Sequence, residues 1–326
     1  MHALALIRPV RWAVETVGVA ALILGVMLAA PVSRPPALAS IAYGTAAIDL
    51  SGLPVPSEFR ARDGSALVYR LYPARNGATD RLAILIHGSS GSSANMNAVA
   101  RALIEAGVAA VAIDARGHGG SGTRGDIGYI GQLDDDLADL VAELRPRFPD
   151  ARLALVGHSS GGGFALRIAG EAEAKLFDRF VLLAPYLGYF APTTRPAEGT
   201  ARWADPDLPR IVALTLLGSA GIDCCQSLPA VGFATRPGAS VTSRYSYRLL
   251  TNFGPPLAWR GPLAAAAAPI DVIIGERDEL MAADRYADAL APFAANVHLT
   301  VLRGVDHMGV LREPAALAAI VAAVSQ

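Results

Sequence analysis

Short, strongly apolar runs alternate with amphipathic segments over most of the chain. The runs are rich in Val, Ile and Leu, as is typical of parallel strands buried on both faces of a sheet. Among the segments between them, 132–145 carries apolar residues at helical spacing. This alternation predicts βαβ units and an α/β fold with a mainly parallel sheet flanked by helices. The predicted strands are 82–86, 108–113, 153–156, 180–184, 270–274 and 298–302, and the predicted helices are 94–106, 132–145, 281–290 and 314–324.

A predicted β-hairpin precedes these units. The strand-like runs 58–62 and 66–72 flank Asp63-Gly64, and Asp-Gly between two such runs is a hairpin signal. We therefore expect the folded core to begin near residue 58.

The alternation stops between residues 185 and 269, a proline-rich segment with nine aromatic residues. An irregular segment this long inside a compact domain usually has a function or a structure of its own. The sequence therefore predicts a core of 58–184 and 270–326, interrupted after the sixth strand by a lid, 185–269. An ordinary insertion with a small core of its own is the alternative.

The chain begins with a pattern typical of targeting segments. Arg8 and Arg11 precede an apolar run over 16–30, and Ala37-Leu38-Ala39 is an Ala-x-Ala cleavage pattern. The run is shorter than the ~20 residues of a comfortable membrane span. Residues 1–39 are thus a cleaved signal peptide, an uncleaved anchor, or neither.

The first two alternatives both carry the body of the protein across the membrane. They predict a periplasmic, secreted or membrane-anchored protein, with membrane association through residues 12–31. Residues 40–57, which include Pro54 and Pro56, are predicted to be a linker.

Composition excludes several classes of partner and site. The 326 residues have a formal net charge of −1, so nothing suggests nucleic acid. The mean hydropathy of +0.37 agrees with an apolar start and buried strands. The two cysteines, Cys224 and Cys225, are adjacent and build no disulfide framework. They form either a vicinal disulfide or two small apolar side chains, and no metal-ligand spacing includes them.

Gly157-His158-Ser159-Ser160-Gly161 lies between a predicted strand and a predicted helix. A Gly-x-Ser-x-Gly in this setting is typical of a nucleophile elbow, a sharp turn that exposes the serine above the sheet. Gly157 and Gly161 would leave room for that turn. The helix N-terminus beside Ser159 favours a developing oxyanion. An ordinary glycine-rich turn is the alternative.

A nucleophilic serine needs a base, and histidine is the usual one. Only His298 and His307 follow Ser159. His298 opens a predicted strand, whereas His307 follows it, at the carboxyl edge where active sites of such sheets lie. We therefore predict His307 as the base.

The acid that orients the base should leave a neighbouring strand at the same edge. Asp278 follows the strand 270–274 and is the preferred candidate, with Glu276 and Asp306 as alternatives. Asp271 lies at the wrong end of that strand.

Two N–H groups should bind the oxyanion. The residue after the nucleophile, Ser160, would supply one of them. The loop His87-Gly88-Ser89-Ser90-Gly91 follows an earlier strand, and Ser89 would supply the other. Gly88 would permit a close approach of the backbone. A phosphate-binding loop is disfavoured because no lysine follows in the required pattern.

Together these motifs make the chain resemble the α/β-hydrolases, and within them the monoacylglycerol lipase, lysophospholipase and serine aminopeptidase group. The resemblance extends over about 58–325, apart from most of the lid, and includes Asp114-Ala115-Arg116-Gly117-His118-Gly119-Gly120-Ser121. It implies that this loop supports the active site, that His118 has a structural role, and that His87 and His158 support the active site or are packing residues.

Asp134-Asp135-Asp136 suggests a metal site only weakly. Carboxylates in a solvated first helical turn are the better interpretation, because they stabilise the helix N-terminus.

The expected function is a serine hydrolase that cleaves a lipid or other apolar acyl ester through Ser159, His307 and Asp278. The expected partner is a small-molecule or lipid ester, and no cofactor or metal is needed. A peptidase or amidase, or a cofactor-free haloperoxidase or perhydrolase, would use the same three residues. A non-catalytic envelope binding protein is the least favoured alternative. Fold does not decide among these substrates.

Overall fold

An eight-stranded sheet forms the centre of the molecule. The structure is a computed structural model that describes residues 3–196, 202–239 and 241–326. The strands are β1 (Ser57–Arg60), β2 (Ala66–Tyr72), β3 (Arg81–Ile86), β4 (Ala109–Ile113), β5 (Arg152–His158), β6 (Arg179–Leu183), β10 (Ile270–Gly275) and β11 (Val297–Leu302). Across the sheet they lie in the order β1-β2-β4-β3-β5-β6-β10-β11.

The sheet is antiparallel only at its beginning. Strand β1 pairs antiparallel with β2, and β2 pairs antiparallel with β4. All pairs from β4 through β3, β5, β6 and β10 to β11 are parallel. The carboxyl ends of these six strands therefore lie at one edge of the sheet.

Helices cover both faces because successive residues of a buried strand point to opposite sides. Ile84 belongs to an apolar cluster with Leu137 and Phe164, whereas Leu85 belongs to a second cluster with Leu103. The helices on the first face are α4 (Gln132–Leu144), α5 (Ser160–Ala169) and α9 (Tyr286–Leu290), and those on the second are α3 (Asn97–Glu105) and α10 (Pro314–Ser325). The predicted α/β fold is confirmed.

The segment between β6 and β10 has its own structure, at the predicted place after the sixth strand. Three short strands form an antiparallel sheet. Its elements are β7 (Ala204–Pro206), α6 (Leu208–Ser219), β8 (Pro229–Phe233), β9 (Arg244–Ser246), α7 (Tyr247–Asn252) and α8 (Arg260–Ala265). Residues 197–201 and 240 of this insertion lie outside the described residues. That the insertion acts as a lid stays a prediction.

Two helices precede the core, α1 (Ala3–Ala29) and α2 (Ala39–Ala46). In the part of the chain that the structure describes, no helix is both long enough and apolar enough to cross a membrane. Helix α2 differs from the prediction of a linker over 40–57, because Ile41 is buried. Cleavage at Ala37-Leu38-Ala39 and the cellular location stay predictions.

The structure does not contain the vicinal disulfide, one of the two predicted alternatives for the cysteines. Cys224 and Cys225 are exposed free thiols. Their Sγ atoms lie 3.3 Å apart, well beyond the ~2.05 Å of a disulfide bond.

Candidate active site

The Gly-x-Ser-x-Gly motif forms a sharp turn from β5 into α5, with Ser159 between the two elements. Ser159 has a φ of 55°, in a region that side-chain-bearing residues rarely adopt. The turn requires both glycines. A Cβ at Gly157 would lie 2.1 Å from the Gly161 carbonyl oxygen, and a Cβ at Gly161 would lie 2.3 Å from that of His87.

The loops after β10 and β11 bring Asp278 and His307 together. The imidazole Nδ1 lies 2.7 Å from the Asp278 Oδ2, and both side chains are almost completely buried. The other carboxylate oxygen of Asp278 accepts the N–H groups of Leu280 and Met281, at 2.8 and 2.7 Å. Asp278 is therefore held in place while it receives the Nδ1–H, and the opposite ring nitrogen of His307 is left as an acceptor.

The environment of His307 favours its protonated form. Burial alone would lower the pKa of His307, but the Asp278 carboxylate more than offsets this and raises the pKa above its ordinary value. The Glu279 carboxylate acts in the same direction, and it also accepts the backbone N–H of His307 at 3.0 Å.

A second histidine, His158, packs on the first. The two ring centroids lie 4.8 Å apart, and the Nε2 of His158 lies 3.2 Å from the His307 carbonyl oxygen. Burial, together with the nearby His307, lowers the pKa of His158 to about 3. His158 is thus a neutral donor that holds the loop of His307, in agreement with a supporting role.

The proposed oxyanion loop after β3 is tied to the insertion. The Trp203 indole donates to the Ser89 hydroxyl at 2.8 Å, and the Ser90 N–H donates to the Tyr245 hydroxyl at 3.0 Å. A Cβ at Gly88 would lie 3.1 Å from the Ser159 Cβ, so the loop runs directly beside the serine. Ser160 begins α5, and its N–H has no partner within that helix.

His87, at the start of this loop, and His118 are both occupied by structural contacts. The His87 Nε2 accepts the Ala115 N–H at 3.2 Å. The His118 Nε2 accepts from the Tyr245 hydroxyl at 2.6 Å. Burial lowers the pKa of both histidines, so both are neutral.

The loop that contains His118 is held by buried charges. The Arg116 guanidinium lies 2.7 Å from the Asp136 carboxylate and 2.9 Å from that of Asp63. This differs from the prediction of a solvated acidic turn, because Asp136 is buried and Asp134 pairs with Arg167. Among the described residues no group of three or more His, Cys, Asp or Glu is arranged to hold a metal ion.

The alternative base and acid residues are engaged elsewhere. His298 is exposed and faces Asp271 at 3.8 Å, at the amino end of the strands. The Glu276 carboxylate accepts the Gly304 N–H at 2.9 Å. The Asp306 carboxylate pairs with Arg312 at 3.2 Å.

A cavity of ≈ 260 Å³ lies above the carboxyl edge of the sheet, and both Ser159 and His307 line it. Its remaining lining is largely apolar. The apolar side chains come from the N-terminal segment, the insertion and the last loops, and they are Ile41, Ala42, Ala46, Trp203, Ala234, Ala239, Val241, Leu280, Met308 and Leu311. Sequence reasoning missed the contribution of the N-terminal segment, because that segment resembles a linker.

The family model described as "Serine aminopeptidase, S33" matches residues 77–315. The chain belongs to this family. The S33 match includes Ser159, the loop 87–91 and both loops that carry Asp278 and His307, and it confirms the resemblance drawn from the motifs.

Curated relatives of this S33 protein include lipases. The monoacylglycerol lipase of Mycolicibacterium smegmatis is 28% identical over 251 residues, which cover 71% of this chain and 82% of that protein. The sn-1-specific diacylglycerol lipase ABHD11 of Xenopus tropicalis is 35% identical over 99 residues. That stretch spans only 29% of the ABHD11 length.

Solved structures share the fold of this S33 protein at low sequence identity. A soluble variant of monoglyceride lipase from Saccharomyces cerevisiae, in complex with a substrate analog, superposes with a TM-score of 0.57 at 15% identity and covers 84% of this chain and 94% of its own. The esterase Est1E from Butyrivibrio proteoclasticus, with ferulic acid bound, gives a TM-score of 0.55 at 18% identity, with 82% and 96% covered.

Proposed function

We propose that this protein is a serine hydrolase that cleaves carboxylic esters of apolar acyl groups, with Ser159 as nucleophile, His307 as base and Asp278 as its orienting acid. The observation that carries the proposal is the buried Asp278–His307 hydrogen bond, together with the single cavity that both His307 and the elbow serine Ser159 line. The similarity to the monoacylglycerol lipase of Mycolicibacterium smegmatis supports the ester assignment.

In the acylation step, the free ring nitrogen of His307 takes the Ser159 proton and the serine oxygen attacks the ester carbonyl. The negative charge that develops on the carbonyl oxygen is bound by the N–H groups of Ser89 and Ser160. Asp278 stabilises the imidazolium that forms. The imidazolium then protonates the leaving alcohol as the carbon–oxygen bond breaks, and an acyl-enzyme remains.

In the deacylation step, His307 removes a proton from water and the resulting hydroxide attacks the acyl-enzyme carbonyl. The same two N–H groups bind the second oxyanion. Its collapse releases the carboxylic acid, and His307 returns the proton to Ser159. Each proton transfer uses the same ring nitrogen, so the tautomer that Asp278 holds serves both steps.

An ester substrate fits the cavity better than a peptide with a free amine. An aminopeptidase needs a carboxylate to bind the substrate's ammonium group, and the cavity lining within the described residues contains none. The only formally charged side chain in that lining is Arg236, apart from the titratable histidines. A peptidase or amidase is therefore the second candidate, supported by the family description alone.

The first test is covalent labelling with a fluorophosphonate. Wild type should label, Ser159→Ala should not, and Ser160→Ala should still label because it keeps its backbone N–H. Equal labelling of wild type and Ser159→Ala, or an unlabelled folded wild type, would overturn the proposal. Matched p-nitrophenyl ester and p-nitroanilide substrates then separate an esterase from an amidase.

We also propose that the body of the protein lies outside the cytoplasm and that its N-terminal segment associates with membrane. The basic start, the apolar run and the Ala-x-Ala pattern support this location. Helix α1 adds support, since Trp12, Val17, Leu22 and Val26 are exposed along it. Fractionation of cells, with N-terminal sequencing of the recovered protein, tests both proposals. Recovery from the cytoplasm with an intact N-terminus would contradict them.

A further inference from the structure

Helix α2 lies over the catalytic cavity, although ten residues of chain, 47–56, separate it from the first strand of the core. One side of the helix faces the cavity that Ser159 and His307 also line. The α2 residues in this lining are Ile41, Ala42, Thr45 and Ala46. The N-terminal segment therefore forms a wall of the site rather than a connection to it.

The helix packs closely on the residue that follows the proposed base. A Cβ at Gly44 would lie 2.6 Å from the Cβ of Met308, so only glycine permits this approach. Ile41 is 4% exposed and belongs to the same apolar cluster as Met308 and Leu311. The position of α2 is thus set by contacts next to the catalytic loop.

Hydrogen bonds fasten the chain on both sides of the helix. Before it, the Leu38 N–H donates to the Ala234 carbonyl at 3.3 Å. Within it, the carbonyl of Ala42 accepts from Arg236 at 3.1 Å. After it, the Asn97 amide donates to the carbonyls of Asp49 and Ser51, at 2.8 and 3.0 Å. Since both ends are held, α2 keeps its place over the cavity.

We propose that α2 selects the substrate by the length of its acyl chain, and that Ile41, Ala42 and Ala46 determine this specificity. The proposal rests on the ester hydrolase function proposed above. It goes beyond the S33 family match, because that match begins at residue 77 and does not include α2.

The side chains of α2 explain how size would be selected. Ala42 and Ala46 present single methyl groups to the cavity, and Ile41 is the one bulky side chain of the α2 wall. The cavity of ≈ 260 Å³ is slightly smaller than the ~300–1,000 Å³ typical of drug-sized ligand pockets. Added or removed methylene groups on this wall therefore decide which acyl chains fit.

The test compares two alanines on the cavity side of α2 with an exposed alanine that follows it. Ala42→Leu and Ala46→Leu fill the cavity, whereas Ala47→Leu makes the same change outside the lining. The measurement is the ratio of kcat/KM for p-nitrophenyl octanoate to that for p-nitrophenyl acetate. We expect Ala42→Leu to lower this ratio by about tenfold or more, Ala46→Leu to lower it as well, and Ala47→Leu to leave it unchanged.

A variant with the opposite expected effect distinguishes a change in cavity size from a general loss of folding. Ile41→Ala enlarges the cavity, so the octanoate-to-acetate ratio should rise. The proposal is overturned if the two cavity-side leucines and Ile41→Ala change the ratio no more than Ala47→Leu does.

Calorimetric binding of octanoic acid separates this proposal from the hydrolase proposal. If wild type hydrolyses no ester, the proposed function fails, and binding alone decides the role of α2. Weaker binding of octanoic acid by Ala42→Leu than by Ala47→Leu would then support the proposal that α2 limits the acyl chain. Equal binding, or no binding by wild type, would overturn it.

Discussion

The Asp278 carboxylate raises the pH at which His307 gives up its proton. Because Asp278 raises the pKa of His307 above its ordinary value, the imidazole is protonated up to a higher pH than a free histidine would be. A protonated His307 cannot take the proton of Ser159. We therefore expect kcat/KM for p-nitrophenyl acetate to rise with pH, with its midpoint above ~6.5. Measurement of kcat/KM across about pH 5–9 locates this midpoint.

The neighbouring histidine should not contribute to that profile. Burial keeps His158 neutral, with a pKa of about 3, so a single ascending limb is expected. A midpoint below that of free histidine would contradict the assigned role of Asp278.

The buried pair of Arg116 and Asp136 should contribute to stability. Both side chains are less than a tenth exposed, and removal of one partner from a buried pair leaves an uncompensated charge. We expect Asp136→Ala to lower the free energy of unfolding by about 3 kcal/mol, measured by urea denaturation.

The adjacent carboxylate provides the control for this measurement. Asp135 pairs with Arg62, which is half exposed, so Asp135→Ala should cost below about 1 kcal/mol. If the two variants lose the same free energy of unfolding, burial of the Arg116–Asp136 pair does not raise the cost of removing one partner.

At this scale the sequence predicted which residues meet, because strand direction separates the two ends of the sheet. Asp271 and His298 begin strands and lie far from the edge where Asp278 and His307 follow the same strands. The pairing of His158 with the His307 carbonyl was beyond prediction, since it depends on how two loops pack across the sheet edge.

Among the elements, β9 of the insertion controls the loop proposed to bind the oxyanion. The Tyr245 hydroxyl accepts the Ser90 N–H and donates to His118. Tyr245→Phe would leave both buried groups unpaired, at a cost of about 1–3 kcal/mol, and the loop should shift. We expect kcat for p-nitrophenyl butyrate to fall by about tenfold or more, with little change in KM.

Tyr247→Phe is the matched control. Its hydroxyl bonds to Thr215 at 3.0 Å, inside the same insertion and away from the oxyanion loop. Should both variants keep the wild-type kcat, the insertion does not position the loop.

Strands of the main sheet were predictable because burial on both faces makes them continuous apolar runs. The strands of the insertion were not, since β7 and β9 have three residues each and show no alternation. Helix α2 was missed because most residues of its sequence, ASIAYGTA, are small and show only a weak helical pattern. The helix is instead held by contacts with Met308, which is distant in the sequence.

For the whole molecule, Arg210 of α6 joins the N-terminal segment to the insertion. Its guanidinium is buried and donates to the Leu28 carbonyl at 2.9 Å, and also to the carbonyl of Pro229. We expect Arg210→Met to loosen the segment, so that backbone amides across 28–46 exchange faster. Hydrogen-exchange mass spectrometry measures this.

Arg147→Met, a change at an exposed arginine of the core, serves as the reference and should leave the exchange of 28–46 unchanged. Identical exchange in the two variants would show that Arg210 does not hold the segment.

The position of α2 in the chain has a consequence for how such enzymes diversify. The helix precedes the region shared by the family, and of its eight residues only Ile41 and Gly44 are buried. Substitutions there escape most of the packing constraints on strands and catalytic loops. Under the specificity proposed for α2, two chains with identical cores can evolve different substrate ranges through their first fifty residues, and an exchange of residues 1–50 becomes a modular way to retune such an enzyme.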